Sequence, residues 1–314
     1  MRLGKFVKRT NWHHSNCTHV APTHRKQGGS LISALLSAPS QPFQIYAVTR
    51  NGTSKRAQSL ASKPNVHVVE GDYANVDAIF KQVDRPWGLF SVTTFDQGHK
   101  VEEEQGKAMT KAAIDSGVKH IVFTATERGG QIESDADATN IPHFVSKYHI
   151  EQDIMEQAKL SKQGTTWTFL RPVAFFENLS KDFYGKGFVA MWRLNGVDRK
   201  MQLISTTDIG KVAAQAFLNA DSDEYRNRAI SLAGDQLTPN EAARIFKETT
   251  GQEIPYTYGF VGRLLRWLMH EQLGMMFDWI RDTGFGADVK ALRRRYPFMK
   301  DFKTWLVEES AWKK

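Results

Sequence analysis

The sequence has little cysteine and no long apolar run. Cys17 is the only cysteine among 314 residues, so an intrachain disulfide is excluded, and the usual cysteine-rich zinc spacings are absent. A lone thiol is typical of a reducing compartment, and we expect a cytoplasmic protein, with the nucleus left open. Because no apolar stretch approaches the length that spans a bilayer, we expect a soluble protein with no membrane partner.

Acidic residues are missing from the first 30 positions, which carry six basic ones. These six account for most of the net charge of +8, so the rest of the chain is nearly neutral. A nearly neutral body disfavours direct nucleic-acid binding. The four histidines of this stretch have no regular spacing and predict no metal site. We treat residues 1–25 as an atypical N-terminal segment, for which a mitochondrial transit peptide is the less favoured interpretation.

From residue 43 onward, short β-branched or aromatic runs alternate with helical patterns, as in βαβ units on a parallel sheet. The pattern predicts an α/β fold of Rossmann type with a doubly wound sheet. Predicted strands lie at 44–49, 66–70, 88–92, 120–124 and 167–170, and predicted helices at 54–62, 75–83, 99–116 and 143–160. Residues 127–142 and 180–200 are predicted to be long loops that border a ligand site.

The residues after 175 predict a smaller, mainly helical lobe. A strand near 201–205, a helix from about 208 and a strand at 229–232 precede a capping box that begins at Thr238. Between 260 and 295 the pattern is helical, and core packing is the favoured interpretation of its apolar residues, among them Leu264, Leu265, Leu268 and Met269. We therefore divide the chain into residues 1–25, a nucleotide-binding domain at 26–175, and a lobe at 176–314 that returns some strands to the sheet.

Two segments have the chemistry that a dinucleotide phosphate needs. Lys26, Gln27, Gly28 and Gly29 open a helix, where free backbone amides and the helix dipole favour a pyrophosphate. Arg50 follows the next strand, at a point where NAD-binding proteins place an acid and NADP-binding proteins need a cation for the 2′-phosphate. The sequence therefore predicts NADP(H) rather than NAD.

Two further segments follow the next strands. Asp72 can accept a hydrogen bond from an adenine amino group, and Thr93, Thr94 and Phe95 can line the ribose and the nicotinamide. Each segment is nonspecific alone. Their order across consecutive strands is what points to a dinucleotide site.

These segments resemble the NmrA-like family, a branch of the atypical short-chain dehydrogenase/reductases that includes redox sensors and fungal oxidoreductases. The resemblance runs from about Lys26 to the C-terminus, and residues 26–30, 48–51, 69–72, 143–147 and 170–178 carry it. It implies an NADP(H)-binding Rossmann domain with Asn51 in its site and Lys147 close to the nicotinamide ribose. It also implies that four residues flank the nicotinamide end: Phe175, Phe176, Glu177 and Asn178.

The chain departs from this family at the start of its nucleotide domain. The family's Gly-x-x-Gly-x-x-Gly loop has Pro22 and Arg25 at its first two glycine positions, and only Gly28 remains. Residues 11–20 are too polar for a central parallel strand, which is buried on both faces. We expect an abnormal first strand and weakened pyrophosphate binding.

A second departure concerns catalysis. Active short-chain dehydrogenases commonly place a tyrosine four residues before the lysine, on the same helical face. His143 occupies that position here. Lys147 and His143 are the candidate catalytic residues, although a surface role for His143 is the favoured alternative.

Three functions stay open at this point. The leading hypothesis is an NADP(H)-binding redox sensor or regulator that binds a protein partner through its C-terminal lobe. The alternative is an NADPH-dependent reductase of a small apolar carbonyl, quinone or enone, over which four lobe residues would close: Trp267, Met275, Met276 and Trp279. The third is a cofactor-free scaffold. It applies if residues 1–25, which lack the first two glycines of the family's loop, are the true start of the protein.

Overall fold

The computed structural model of the chain describes residues 15–20, 25–38, 43–83 and 85–313. The strands in this part of the chain are β1 Ser15–Val20, β2 Phe43–Thr49, β3 Val66–Glu70, β4 Gly88–Val92, β5 His120–Thr124, β6 Thr166–Pro172, β7 Ala174–Phe175, β8 Met201–Ile204, β9 Arg228–Leu232 and β10 Asp235–Leu237.

The helices alternate with these strands in the first half of the chain and dominate the second. They are α1 Arg25–Leu36, α2 Lys55–Ala61, α3 Val76–Phe80, α4 His99–Asp115, α5 Gln131–Ala136, α6 Pro142–Leu160, α7 Phe183–Leu194, α8 Thr206–Leu218, α9 Pro239–Thr250, α10 Gly259–Leu268, α11 Met275–Asp282, α12 Val289–Arg295 and α13 Phe302–Glu308. A π-helical segment, His270–Gly274, joins α10 to α11. No helix in the described ranges is long and apolar enough to cross a membrane.

Seven strands form one sheet in the order β3-β2-β1-β4-β5-β6-β9, and all neighbouring pairs are parallel. The strand order reverses beside β1, because β2 lies on one side of it and β4 on the other. This is the doubly wound Rossmann arrangement, and the predicted fold class is confirmed. In such sheets, ligands bind at the reversal point, beyond the carboxyl ends of the strands.

The predicted strands and helices between residues 43 and 175 are confirmed to within a few residues at each end. β4 and β5 are buried along their whole length, which is why their apolar runs are continuous rather than alternating. The predicted capping box is also present: Thr238 accepts from the Glu241 amide, and the Glu241 carboxylate accepts from the Thr238 amide.

The expectation for the first strand needs a correction. The sequence predicts an abnormal first strand, too polar for the centre of a sheet, yet β1 pairs with β2 along six residues and with β4 along four. Backbone pairing on both sides satisfies the peptide groups whatever the side chains are. The predicted change at Pro22 lies outside the described residues.

Both predicted long loops contain a helix, so the prediction that these segments have no regular structure was wrong. α5 lies within 127–142 and α7 within 180–200. α7 begins after Asp182, whose carboxylate accepts from the Gly185 amide. A Cβ at Gly185 would overlap the backbone of Ser180, so this glycine allows a close approach rather than marking a flexible loop.

The second half of the chain contributes both to the main sheet and to a separate lobe. β9 pairs with β6 in the main sheet, and α8 packs against α1 so closely that a Cβ at Gly210 would overlap the carbonyl of Gln27. The remaining elements form a lobe around the three-stranded sheet β10-β8-β7, with its own core that includes Phe176, Trp192 and Trp305.

The core prediction for residues 260–295 is half right. Leu265 and Met269 pack against the lobe core. Leu264 and Leu268, in contrast, are 49% and 62% exposed. They lie on the outer face of α10, because the inner face already rests on α7, where Leu265 fills the space beside Gly187.

Candidate functional site

A cavity of about 220 Å³ lies beyond the carboxyl ends of β4, β5 and β6. Its inner wall includes Val92, Thr124 and Pro172, the last residues of these three strands. α6 supplies a second wall, and the lobe closes the opposite side with Tyr184 and Met276. The cavity therefore occupies the place where parallel α/β sheets bind their ligands.

The Lys147 ammonium faces this cavity from the second turn of α6. It is buried, and it donates to Oε1 of Glu102 at 2.8 Å, to Oγ1 of Thr93 at 3.1 Å and to the Thr93 carbonyl at 3.2 Å. Lys147 thus lies beside Thr93, the residue that follows β4, and its expected approach to a nicotinamide ribose stays a prediction.

Glu102 is a site residue that the sequence analysis missed. It lies in the first turn of α4 and is 1% exposed. Burial on its own would raise the pKa of Glu102. The ion pair with Lys147 and hydrogen bonds from Lys147, Ser146 and Thr93 outweigh burial and hold that pKa below its usual value. Glu102 is therefore ionised, and its charge offsets that of the buried ammonium.

His143 also lines the cavity, so the surface alternative for this residue was wrong. Its ring is buried, stacks on Phe95 at a centroid distance of 4.9 Å, and meets Phe144 edge-on at 4.8 Å. Burial, with the nearby positive charge of Lys147, lowers the pKa of His143 to about 4. The imidazole is thus neutral at physiological pH.

Three buried polar side chains along the cavity have no partner within the described protein. They are the amide of Gln27, the hydroxyl of Thr124 and Nδ1 of His143. Buried polar groups are normally hydrogen-bonded, and leaving one unpaired costs roughly 1–3 kcal/mol. Their presence around one cavity fits a ligand that brings its own donors and acceptors, as a nicotinamide nucleotide does.

The predicted adenine and phosphate end is more open. Arg50 is exposed immediately after β2, and Asn51 forms an Asx turn in which its side-chain oxygen accepts from the Thr53 amide at 3.0 Å. Asp72 is exposed and caps a short helix by accepting from the Ala74 amide. Asn51 and Asp72 thus have local structural roles, whereas the Arg50 position at the strand end suits an anion.

The predicted glycine segment lies inside a helix rather than in front of it. α1 begins at Arg25, so Lys26, Gln27, Gly28 and Gly29 belong to its first two turns. A Cβ at Gly29 would lie 3.1 Å from a guanidinium nitrogen of Arg56, which places this second cation beside the start of α1.

The sequence profile of the NmrA-like family matches residues 23–303. The chain belongs to the NmrA-like family. The NmrA-like family domain-containing oxidoreductase malD of Malbranchea aurantiaca is 25% identical over 267 residues, which cover 77% of this chain and 74% of malD. Its counterpart himF of Aspergillus japonicus is 30% identical over 246 residues, which cover 73% and 72%. The nitrogen metabolite repression protein nmr of Neurospora crassa is 23% identical over 267 residues, which cover 74% of this chain and 53% of nmr.

Solved structures agree with the fold. The Citrobacter sp. triphenylmethane reductase complexed with NADP(H) superposes with a TM-score of 0.69 at 19% identity, covering 92% of this chain and 98% of the reductase. The negative transcriptional regulator NmrA in complex with NADP gives a TM-score of 0.68 at 16% identity, covering 95% of each chain. At these identities the likeness extends to the fold.

In this NmrA-like protein, the cavity brings together about half of the predicted site residues. Those along it are Gln27, Thr93, Phe95, His143, Lys147, Phe175 and Asn178. Thr94 lies just outside, where its hydroxyl donates to Asp96.

Two of the predicted nicotinamide-flanking residues point elsewhere. Phe176 is fully buried in the lobe core, where its ring stacks on Phe302 and Trp305. Glu177 accepts from the amide and the hydroxyl of Thr206, at the start of α8. Successive residues of a turn face different directions, so a contiguous motif cannot place all its side chains in one cavity.

The lobe contributes a different set of residues from the one expected. Met276 lines the cavity, and Trp279 packs behind it, edge-on to Phe144 at 5.5 Å. Trp267 is 73% exposed on the outer face of α10. Tyr184, which was predicted to lie in a loop, lines the cavity from the first turn of α7.

Proposed function

We propose that this protein is an NADPH-dependent reductase of a small apolar substrate with a carbonyl, quinone or enone group. The supporting observation is the cavity itself, which continues from the ends of β4 and β5 to apolar side chains of the lobe such as Leu273, Met276 and Phe285. A site for a nucleotide alone would not need this second, apolar wall.

The residues present fit NADPH. Arg50 would bind the 2′-phosphate, and the unpartnered groups of Gln27 and Thr124 would hold the polar parts of the cofactor near Lys147. NADPH supplies a hydride to the substrate when it is bound. The NADP(H) complexes of the reductase from Citrobacter sp. and of NmrA support this assignment.

Reduction of a carbonyl also needs a proton, and Tyr184 is the candidate donor because it is the tyrosine that lines the cavity. Burial of part of the ring, together with the Asp182 carboxylate, raises the pKa of Tyr184, so the phenol is protonated at neutral pH, although the shift itself makes it a weaker acid. His143 is less suited to this step, because its lowered pKa leaves the imidazole neutral. Tyr184 would thus take the role of the tyrosine that the helix of Lys147 lacks.

A redox sensor is the second candidate, and one observation favours it. The outer face of α10 exposes Phe260, Leu264, Trp267 and Leu268, each by 49% or more, and such a patch suits a protein partner. The resemblance to the Neurospora crassa repression protein points the same way. The unpartnered groups along the cavity count against the cofactor-free scaffold.

The test is a screen for NADPH oxidation with quinones, enones and aldehydes, with Tyr184→Phe beside the wild type. We expect saturable turnover, reduced roughly a hundredfold in Tyr184→Phe because a general acid contributes 10²–10⁴-fold. Tyr258→Phe, at a 76% exposed position, is the matched control. Tight NADPH binding without turnover on any substrate would favour the sensor, and no NADPH binding would refute both proposals.

A further inference from the structure

The Lys147 ammonium is fully occupied by acceptors of the protein. An ammonium has three N–H donors. The described structure provides three acceptors, namely Oε1 of Glu102 and the hydroxyl and carbonyl oxygens of Thr93. A ribose or substrate hydroxyl that bonds to Lys147 must therefore displace one of them.

The Glu102 carboxylate is held from three sides. Its Oε1 accepts from Lys147 and from the Thr93 hydroxyl, both at 2.8 Å, and its Oε2 accepts from the Ser146 hydroxyl at 2.6 Å. These donors come from the loop after β4 and from α6, while Glu102 itself starts α4. The network thus ties α4 to the two elements that line the cavity here, the loop after β4 and α6.

The other titratable groups around Lys147 carry no charge that could replace that of Glu102. His143 on α6 is neutral because burial lowers its pKa to about 4. Tyr73 donates its phenol to the Val92 carbonyl, and burial raises its pKa to about 12. Tyr184, across the cavity, keeps its proton because burial raises its pKa.

We propose that Glu102 is a positioning residue for Lys147, which fixes the ammonium at the cavity wall and keeps it protonated while an entering hydroxyl displaces Thr93. This inference rests on the proposed function only for the identity of the entering hydroxyl. Thr93 is the acceptor that yields, since its two contacts are longer and neutral, whereas the charge-assisted contact to Glu102 is stronger.

The first test replaces the carboxylate by an amide of the same shape, in Glu102→Gln. A buried ammonium without a carboxylate partner gives up its proton more easily. In protein labelled with ¹³C at the lysine ε-carbon, we expect the Lys147 signal to titrate at a lower pH in the variant than in the wild type. The signal is assigned by its loss in Lys147→Arg. Glu104→Gln, two residues along α4 at an exposed position, is the matched control and should titrate like the wild type.

The second test measures NADPH affinity against pH. From about pH 7 to about pH 9.5, we expect the dissociation constant of Glu102→Gln to rise about tenfold, because one bond to an ammonium is lost with its proton. The wild type and Glu104→Gln should stay nearly constant over this range. Glu102→Asp keeps the charge but withdraws it by one methylene, so it should bind NADPH more weakly at every pH without gaining pH dependence.

The outcomes separate the two proposals. An unchanged Lys147 titration in Glu102→Gln, or wild-type affinity in Glu102→Asp, would overturn the positioning role. A change in melting temperature alone would mean that Glu102 is merely structural, which also overturns it. If NADPH binds to none of the proteins, the proposed function fails, while the titration of Lys147 still decides this inference. Should Glu102→Gln not fold, Glu102→Asp carries the test.

Discussion

Two buried charge clusters lie one turn apart on α6 and differ in their location and in their partners. Lys147 faces the cavity and pairs with one carboxylate, that of Glu102. Glu151, four residues later, is fully buried and accepts from two guanidinium groups, those of Arg128 and Arg171.

The surroundings of the two clusters explain the difference. Arg128 also donates to the carbonyls of Thr126, Ser134 and Asp137, and therefore holds the segment around α5 against the sheet. None of the three charged side chains of this second cluster, Glu151, Arg128 and Arg171, lines the cavity described above. A buried charge that is surrounded by many protein partners, as at Glu151, stabilises the fold. A buried charge that faces a cavity and has neutral partners, as at Lys147, can exchange one of those partners for a ligand.

The largest expected effect comes from breaking the sealed cluster. Glu151→Gln leaves two buried guanidinium groups without their shared carboxylate, and we expect a loss of about 3–5 kcal/mol in the free energy of unfolding. Urea denaturation measures it. Glu156→Gln, at an exposed position of the same helix, should change this free energy by less than about 0.5 kcal/mol. Equal stabilities of the two variants would show that the Glu151 cluster does not hold the fold.

Breaking the cavity cluster of Lys147 and Glu102 should change the affinity for NADPH. Lys147→Met removes the ammonium that we place beside the bound nucleotide, and NADPH affinity should fall about tenfold or more, because a hydrogen bond to a charged group contributes roughly 1.5–3 kcal/mol. Titration calorimetry measures the change. Lys159→Met, an exposed position at the end of α6, is the control. Unchanged affinity in Lys147→Met would place the nucleotide away from this residue.

The same variant should also alter the pH dependence of stability. In the wild type the pKa of Glu102 is lowered, so its contribution is present above the unfolded-state pKa of about 4.3 and is lost as the pH falls through the folded-state value. In Lys147→Met only burial and neutral hydrogen bonds remain, and the pKa of Glu102 should rise. The stability gap between wild type and variant should therefore narrow from about pH 7 to about pH 4. A gap of constant size in urea denaturation would contradict the ion pair.

The smallest effect belongs to an exposed charge. Arg50→Asp should remove a preference for NADPH over NADH that we expect to be about tenfold, because a single charge-assisted contact to the 2′-phosphate carries it. Lys63→Asp makes the same charge change before β3, at the amino-terminal end of the parallel strands rather than the carboxyl end, and should leave the preference intact. Equal affinities of the wild type for NADPH and NADH would sink this assignment.

The sequence predicted the elements whose patterns are local. Strands such as β4 and β5 are continuous apolar runs, and the α9 capping box is a spacing of three residues. Lys147 could be predicted to face the strand ends because it follows the start of a helix that comes after a strand, whereas its contact with a nucleotide stays a prediction. Glu102 was missed because its partner lies 45 residues away. A usable signal did exist: Glu102 shares one helical face with the buried residues Gly106, Met109 and Ala113.

Other features could not be read from a pattern. β1 is polar in sequence and is fixed by pairing with neighbours that are distant in the chain. Phe176 and Asn178 belong to one short motif, yet only Asn178 reaches the cavity. The lobe supplies Tyr184 because Asp182 caps α7, which sets where that helix begins. Tertiary packing decides all three.

Because α8 packs closely against α1, we expect that the first half of this NmrA-like protein does not fold without the second. A fragment that ended at residue 175, through proteolysis or an early stop codon, would keep the strands up to β6 but lose α8 and β9. Leu31, Ile32 and Leu35 of α1 share a core with α8 and would face water. The edge of β6 that β9 now covers would present unpaired peptide groups to other chains. We expect such a fragment to aggregate or be degraded, because its core and its sheet edge both depend on the second half of the chain.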